Sequence, residues 1–155
     1  MIEINSLLES VHSRLEGEVS LPHQASAIAY DLFILTFKLG QSTNFRNQNL
    51  VSVFISKLQY WELDDLIIRQ VKYAIRIANS NGKLEYEEMH KLFSLCDEIY
   101  ALDYLGLDLD KGLIVEYEES IRRRFKREKL KAKMVAEDRV EKWQENFWWY
   151  KSNLN

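Results

Sequence analysis

Apolar residues recur at intervals of three and four positions through most of this chain. The pattern begins with Ile4, Leu8, Val11 and Leu15 and returns in five later stretches. Residues at this spacing lie on one face of an α-helix, so each stretch predicts an amphipathic helix. Six helices are predicted. The first is closed by Gly17, the next four cover about 23–39, 48–60, 64–78 and 85–103, and the last runs from about Leu113 to Tyr150.

The second predicted helix is apolar almost all round, which is typical of a central helix. Its most apolar stretch, Ala25 to Leu39, is 15 residues long and contains Asp31. A helix that spans a bilayer needs about 20 predominantly apolar residues. We therefore expect no insertion into a membrane.

Residues that break helices are scarce, because the 155-residue chain has only five glycines and one proline. That scarcity favours helices joined by short turns over a strand-rich fold. A chain of this length is typically one domain. The prediction is therefore an all-α, single-domain bundle (residues 1–155) of about six helices with a long C-terminal helix.

Charge is divided unevenly along the chain. Residues 1–120 hold 10 Lys/Arg and 19 Asp/Glu, a net charge of −9, whereas residues 121–155 hold 11 and 5, a net charge of +6. Such polarity informs on partners more than on fold. The positive end opens with a basic run, eight cations within residues 122–133, whose candidate contact residues are Arg122, Arg123, Arg124, Lys126, Arg127 and Lys129.

The basic run has three interpretations. It could follow a nucleic-acid backbone, or lie on an anionic membrane surface, or form a helix face that is solvated or that the protein's own acids neutralise. We expect the last, because Phe125 is the one aromatic residue among the cations. The aromatic cluster from Phe147 to Tyr150 belongs either to the core or to an interface, where Trp and Tyr act as anchors.

Residues 77–88 have the outline of a calcium-binding loop. With Gly82 at the sixth position, Asn79 and Asn81 fall at the third and fifth, and Glu88 falls at the twelfth. The first position is Ile77, which offers no oxygen ligand from its side chain. We therefore predict a helix–turn–helix joint in which Gly82 adopts a left-handed conformation.

The same segment resembles the central turn of the tellurite-resistance TerB-like helical domains. The resemblance covers about residues 70–100 and depends on Ala78, Gly82, Leu84 and Glu88, while the acid that the family carries before the glycine is Asn81 here. It implies a helical fold and, as an alternative function, a metal-binding or stress-response module.

The sequence contains no recognisable catalytic arrangement. Cys96 lies on the apolar stripe of the fifth predicted helix, as a small core residue would, and no Ser-His-Asp set, phosphate-binding glycine loop or dinucleotide fingerprint is visible. We predict a non-enzymatic protein with no cofactor and no metal site. The N-terminus lacks the basic and apolar regions of a secretory signal, so the expected location is cytoplasmic.

These observations favour a protein that binds a partner. The leading hypothesis is an immunity or antitoxin protein that blocks a basic toxin such as a nuclease, because acidic residues 1–120 would attract a cationic cleft. The candidate partner contacts are Glu85, Glu87, Asp97 and Asp103. The alternatives are the TerB-like module and a nucleic-acid-binding protein that uses the basic run.

Overall fold

The computed structural model describes residues 4–16, 22–39, 49, 52–53, 56, 64–104, 110–141 and 144–154. It contains α1 (Ile4–Glu16), α2 (Pro22–Leu39), α3 (Asp64–Ala78), α4 (Tyr86–Tyr104), α5 (Lys111–Arg127), α6 (Lys129–Arg139) and α7 (Trp148–Leu154). No strand occurs in this part of the chain, so the prediction of an all-α fold is confirmed. The helix predicted at about 48–60 lies mostly outside the described residues, as do the loops predicted at 41–47 and 105–109.

The chain divides into two compact units. The N-terminal unit comprises residues 1–70 and 98–109, and the C-terminal unit comprises residues 71–97 and 110–155. The N-terminal unit holds 5 Lys/Arg and 11 Asp/Glu, a net charge of −6, and the C-terminal unit holds 16 and 13, a net charge of +3. The charge asymmetry of the sequence therefore follows the division into units.

In the N-terminal unit, α1 and α2 pack through the apolar faces that the spacing predicts. Val11 and Leu35 are fully buried, and Phe33 meets the rings of Tyr100 and Tyr104 edge-on, with ring centroids 5.4 and 5.0 Å apart. An ion pair of 2.9 Å between Arg14 and Asp31 joins the two helices at the surface. The predicted pattern of apolar positions thus describes this packing well.

In the C-terminal unit, the core forms around Phe93 of α4. Its ring stacks on Phe125 at 4.5 Å and meets Tyr150 edge-on at 5.1 Å. Cys96 is fully buried beside this core, and burial raises the pKa of its thiol. The apolar stripe of α5 and the C-terminal aromatic cluster are therefore parts of one core.

In place of the one helix predicted at 113–150, α5 and α6 together form a long helix, residues 111–139, with a kink at Glu128. The short helix α7 follows it. Glu128 departs from helical geometry, with φ −119° and ψ 47°, yet its N–H still bonds Arg124 O at 3.0 Å and its carbonyl accepts from Ala132 N–H at 2.9 Å. Helical hydrogen bonding thus continues across the kink. The helix ends at Arg139, because Val140 is extended and Gln144 Oε1 accepts the N–H of Glu141 at 2.7 Å.

None of the helices among the described residues is long and apolar enough to cross a bilayer. This finding agrees with the expectation drawn from Ala25 to Leu39.

Candidate functional site

The C-terminal unit contains a buried arginine that organises the turn between α3 and α4. The Arg124 side chain donates from Nη1 to Ser80 O at 2.6 Å and to Ala78 O at 3.3 Å, and from Nη2 to Gly82 O at 2.7 Å. Its Nε donates to Glu128 Oε2 at 2.6 Å. Buried charges are tolerated when they are paired and hydrogen-bonded, and here three carbonyl oxygens and one carboxylate satisfy the guanidinium.

Glu128 completes this arrangement from the kink of the long helix. Its carboxylate accepts the N–H of Leu84 at 3.0 and 3.2 Å and pairs with Lys131 at 3.4 Å. The pKa of Glu128 lies below its ordinary value. Burial acts to raise it, but the hydrogen bonds from Leu84 and from the Arg124 guanidinium together lower it by more. The kink therefore brings a carboxylate to the end of the turn.

Two further cations of the basic run are directed at the same turn. Arg127 donates to Gly82 O at 3.0 Å, and Lys131 donates to Leu84 O. Gly82 has φ +78°, the left-handed conformation that the sequence predicts. The carbonyl oxygens of Ala78, Ser80, Gly82 and Leu84 thus accept hydrogen bonds from cationic side chains of the basic run.

The glutamate that a calcium loop would use as its last ligand is bonded within the protein instead. Glu88, at the twelfth position, accepts the N–H of Glu85 at 3.0 Å and so caps α4. Across the residues that the structure describes, no group of three or more His, Cys, Asp or Glu side chains could hold a metal ion. The helix–turn–helix interpretation of residues 77–88 matches this geometry.

Three other cations of the run form one wall of a groove. Arg122, Lys126 and Lys129 are exposed on the long helix, and the Arg122 guanidinium lies over the Trp148 ring of α7, 4.1 Å from its centroid. We call this feature the basic groove. Its volume is about 260 Å³, and it is lined by Arg122, Phe125, Lys126, Lys129, Trp148, Ser152 and Asn153.

A buried carboxyl on α4 fixes the position of α7. Asp97 accepts from Gln144 Nε2 at 2.7 Å, Trp149 Nε1 at 2.9 Å and the Tyr150 hydroxyl at 3.1 Å, and Arg139 lies 3.5 Å away. Burial raises the pKa of Asp97 to about 6, although these donors and Arg139 act in the opposite direction. Because Trp149 is held in this way, the adjacent Trp148 is placed at the groove.

The structure corrects the predicted set of acidic contacts. Glu85 and Glu87 are exposed in the C-terminal unit and Asp103 is exposed in the N-terminal unit, but Asp97 is only 1% exposed. Asp97 cannot contact a partner, because its carboxyl oxygens already bind the C-terminal segment. Only Glu85 and Glu87 remain as neighbouring candidates.

The basic run is corrected in a similar way. Arg124 is buried, with 1% of its surface exposed, and Arg127 is exposed but bound to Gly82 O. Arg122, Arg123, Lys126 and Lys129 remain accessible. The helix face is therefore solvated at these four cations and neutralised by Glu128 at Arg124, the two forms that the sequence left open.

The members of the aromatic cluster are divided between the core and the surface. Phe147, Trp149 and Tyr150 are buried, whereas Trp148 is half-buried and lines the basic groove. Two features of the sequence indicate the contacts of Arg124 and Asp97. They are the Arg124 and Glu128 pair at i and i+4, and the polar Asp97 inside an apolar stripe.

Comparison with known proteins identifies no relative. The chain matches no protein-family model, and no curated protein and no solved structure is significantly similar to it. The resemblance of residues 70–100 to TerB-like domains therefore stays a prediction.

Proposed function

We propose that this protein is a non-enzymatic binding protein whose basic groove takes a phosphate-bearing polyanion, most concretely a nucleic acid. The observation that carries the proposal is that six of the eight cations of the basic run fall into two sets of three. Arg124, Arg127 and Lys131 bind the protein's own turn. Arg122, Lys126 and Lys129 line the groove, and no carboxylate of the described residues lies within ion-pair distance of them.

The spacing of the groove cations suits a polymeric anion. Arg122 and Lys126, at i and i+4, lie on one face of α5 with a step of roughly 6 Å along its axis, and Lys129, which begins α6, lines the same groove. A row of cations with such steps contacts successive charges of a backbone, and each phosphate that it neutralises releases counterions. The C-terminal unit that carries the groove has a net charge of +3, which supports attraction of a polyanion.

The test is the salt dependence of binding to a labelled oligonucleotide, measured by fluorescence anisotropy. We expect log affinity to fall linearly with log salt. Lys126→Gln combined with Lys129→Gln should weaken binding and reduce the magnitude of that slope by about 1.4 for a single strand. The matched control is Lys72→Gln with Lys111→Gln, because both residues are exposed in the C-terminal unit, away from the groove.

Three outcomes would contradict the proposal. The first is no binding at low salt. The second is an equal loss in the groove variant and in the control, which would show a response to net charge alone. The third is groove-dependent binding to vesicles of anionic phospholipid without binding to the oligonucleotide, which would make the groove a membrane-surface contact.

An immunity or antitoxin function is the second candidate. Glu85 and Glu87 are exposed at the start of α4, next to a turn that Arg124 and Glu128 hold in place. A preorganised acidic surface accelerates association with a basic partner. In a pull-down from the source organism, the wild-type chain should capture a basic toxin that Glu85→Lys with Glu87→Lys does not. Equal capture by both would exclude these contacts.

A further inference from the structure

The basic groove contains a stacked pair of side chains beside its cations. The Arg122 guanidinium lies over the Trp148 ring, 4.1 Å from its centroid, and Arg122 is exposed. A guanidinium over an indole is attracted by the negative face of the ring. The pair therefore presents a cationic group, backed by an aromatic ring, at the groove wall.

Trp148 has its own support within α7. It meets the Trp149 ring edge-on, with ring centroids 5.3 Å apart, and Trp149 donates to the buried Asp97 at 2.9 Å. The Trp148 carbonyl also accepts from the Ser152 hydroxyl at 2.8 Å. Because the indole is held in place, Arg122 loses less conformational freedom when a ligand stacks on it.

The size of the groove fits part of a polymer. Pockets that bury a drug-sized molecule have volumes of roughly 300 to 1,000 Å³, and the groove has about 260 Å³. A segment about the size of one nucleotide matches this space, while the rest of a longer ligand continues along the helix. The exposed Lys126 and Lys129 follow Arg122 along the same face.

We infer that the ligand is a single-stranded nucleic acid, and that an unpaired base stacks on the Arg122 guanidinium while backbone phosphates contact Lys126 and Lys129. The inference rests on the proposed function and adds the strandedness and the base contact. Unpaired bases are recognised by stacking on aromatic rings or on Arg guanidinium planes. The paired bases of a duplex are stacked on one another, so they cannot make this contact without unstacking.

The experiment separates base from backbone with two probes of equal length, an oligothymidylate and an abasic strand with the same number of phosphates. We expect the wild-type protein to bind the oligothymidylate about fivefold or more tightly, the effect of one stacked base at the low end of its range. Arg122→Lys keeps the charge but removes the planar group. It should abolish the preference while affinity for the abasic strand stays within about twofold.

Lys126→Gln is the matched variant, because it removes a phosphate contact and leaves the stack. It should weaken binding to both probes by the same factor and preserve the preference. Equal wild-type affinity for the two probes, or an equal loss in Arg122→Lys, would overturn the base contact and leave the phosphate contacts standing. Tighter binding to a duplex than to a single strand of the same length would overturn the assigned strandedness. If neither probe binds at low salt, the proposed function fails first, and this inference fails with it.

Discussion

Arg124 has a structural role that its neighbours in the sequence do not indicate. It lies in a run of exposed cations, yet its side chain is buried and bonds three carbonyls and Glu128. No charge count distinguishes it from Arg122 or Arg123. The distinction comes from helical phase, because Arg124 falls next to the buried face that includes Ile121 and Phe125.

Replacing Arg124 should therefore destabilise the protein strongly. Arg124→Met removes the donor to Ala78 O and Ser80 O and one of the partners of Gly82 O and of Glu128, and breaking a buried pair in this way costs about 3 to 5 kcal/mol. The free energy of unfolding, measured by urea denaturation, is the readout. The neighbouring Arg123→Met is the control, since an exposed substitution changes stability by less than about 0.5 kcal/mol. Equal losses in the two variants would contradict the role of Arg124 in holding the turn.

Asp97 predicts a specific pH dependence of stability. Its folded pKa of about 6 lies above the ordinary value of 3.8, so the folded state holds the proton more tightly than the unfolded state does. Its contribution to stability is therefore greatest below pH 3.8, and it falls as pH rises to about 6, by at most about 1.4 kcal/mol per pH unit.

The measurement is urea denaturation of the wild-type protein and Asp97→Asn between pH 4 and pH 8. The free energy of unfolding of the wild type, minus that of Asp97→Asn, should fall as pH approaches 6 and then level off. A difference that rises with pH would show that Arg139 and the three hydrogen-bond donors, instead of burial, dominate the pKa of Asp97.

At the scale of elements, the turn at residues 79–84 allows an experimental test of the predicted left-handed conformation of Gly82. Gly82 has φ +78°, and an added Cβ there would meet open space. Gly82→Ala should therefore cost about 1 to 2 kcal/mol through backbone strain alone. Gly112 lies in the first turn of α5, where a Cβ would lie 3.4 Å from Asp110 Oδ1. Gly112→Ala should stabilise by about 0.5 to 1 kcal/mol, and thermal melts should show opposite shifts.

The same turn should not respond to calcium. Its carbonyl oxygens accept from Arg124 and Arg127, and Glu88 caps α4. An added divalent cation would have to displace a buried guanidinium. Millimolar calcium should therefore leave the melting temperature unchanged, as magnesium should in a parallel melt. A rise of several degrees that Glu88→Gln removes would identify a calcium site and favour the TerB-like alternative.

The elements themselves were largely predictable, because they follow from spacing alone. The boundaries of α2 to α4 lie within one residue of the predicted ones, and α1 ends at Glu16, next to the Gly17 that was predicted to close it. The kink at Glu128 and the end of the helix at Arg139 were not predictable in this way. Both depend on contacts between residues distant in sequence, Glu128 with Leu84 and Gln144 with Asp97, and local periodicity carries no information about such pairs.

The candidate site was predictable only as a set of cations. The sequence showed Arg122, Lys126 and Lys129 but not that Trp148 folds back beside them. That placement depends on the hydrogen bond from Trp149 to Asp97. The clustering of acids on one helix predicts a partner contact for Asp97, whereas Asp97 is buried by the same C-terminal segment.

At the scale of the whole molecule, net charge conceals the property that decides binding. The chain carries −3 overall, which alone predicts repulsion from other anions at neutral pH. The C-terminal unit, however, carries +3. Local potential rather than total charge governs an encounter once screening restricts the field to about 8 to 10 Å.

We therefore expect this acidic protein to bind a phosphocellulose column at neutral pH and low salt. Lys126→Gln with Lys129→Gln should elute at lower salt than Lys72→Gln with Lys111→Gln, although both double variants carry the same formal charge. Flow-through of the wild-type protein, or identical elution of the two double variants, would contradict a localised basic surface.

Arg124 has a further consequence for how the turn behaves in a cell. A loop organised by calcium takes its shape from a diffusible ion and can act as a sensor, because the ion arrives and leaves. Here the cation is covalently part of the chain and fully desolvated. The turn is therefore set once, when the protein folds, and stays indifferent to ionic signals. The backbone that leads into α4 therefore keeps one conformation whatever ions surround the protein.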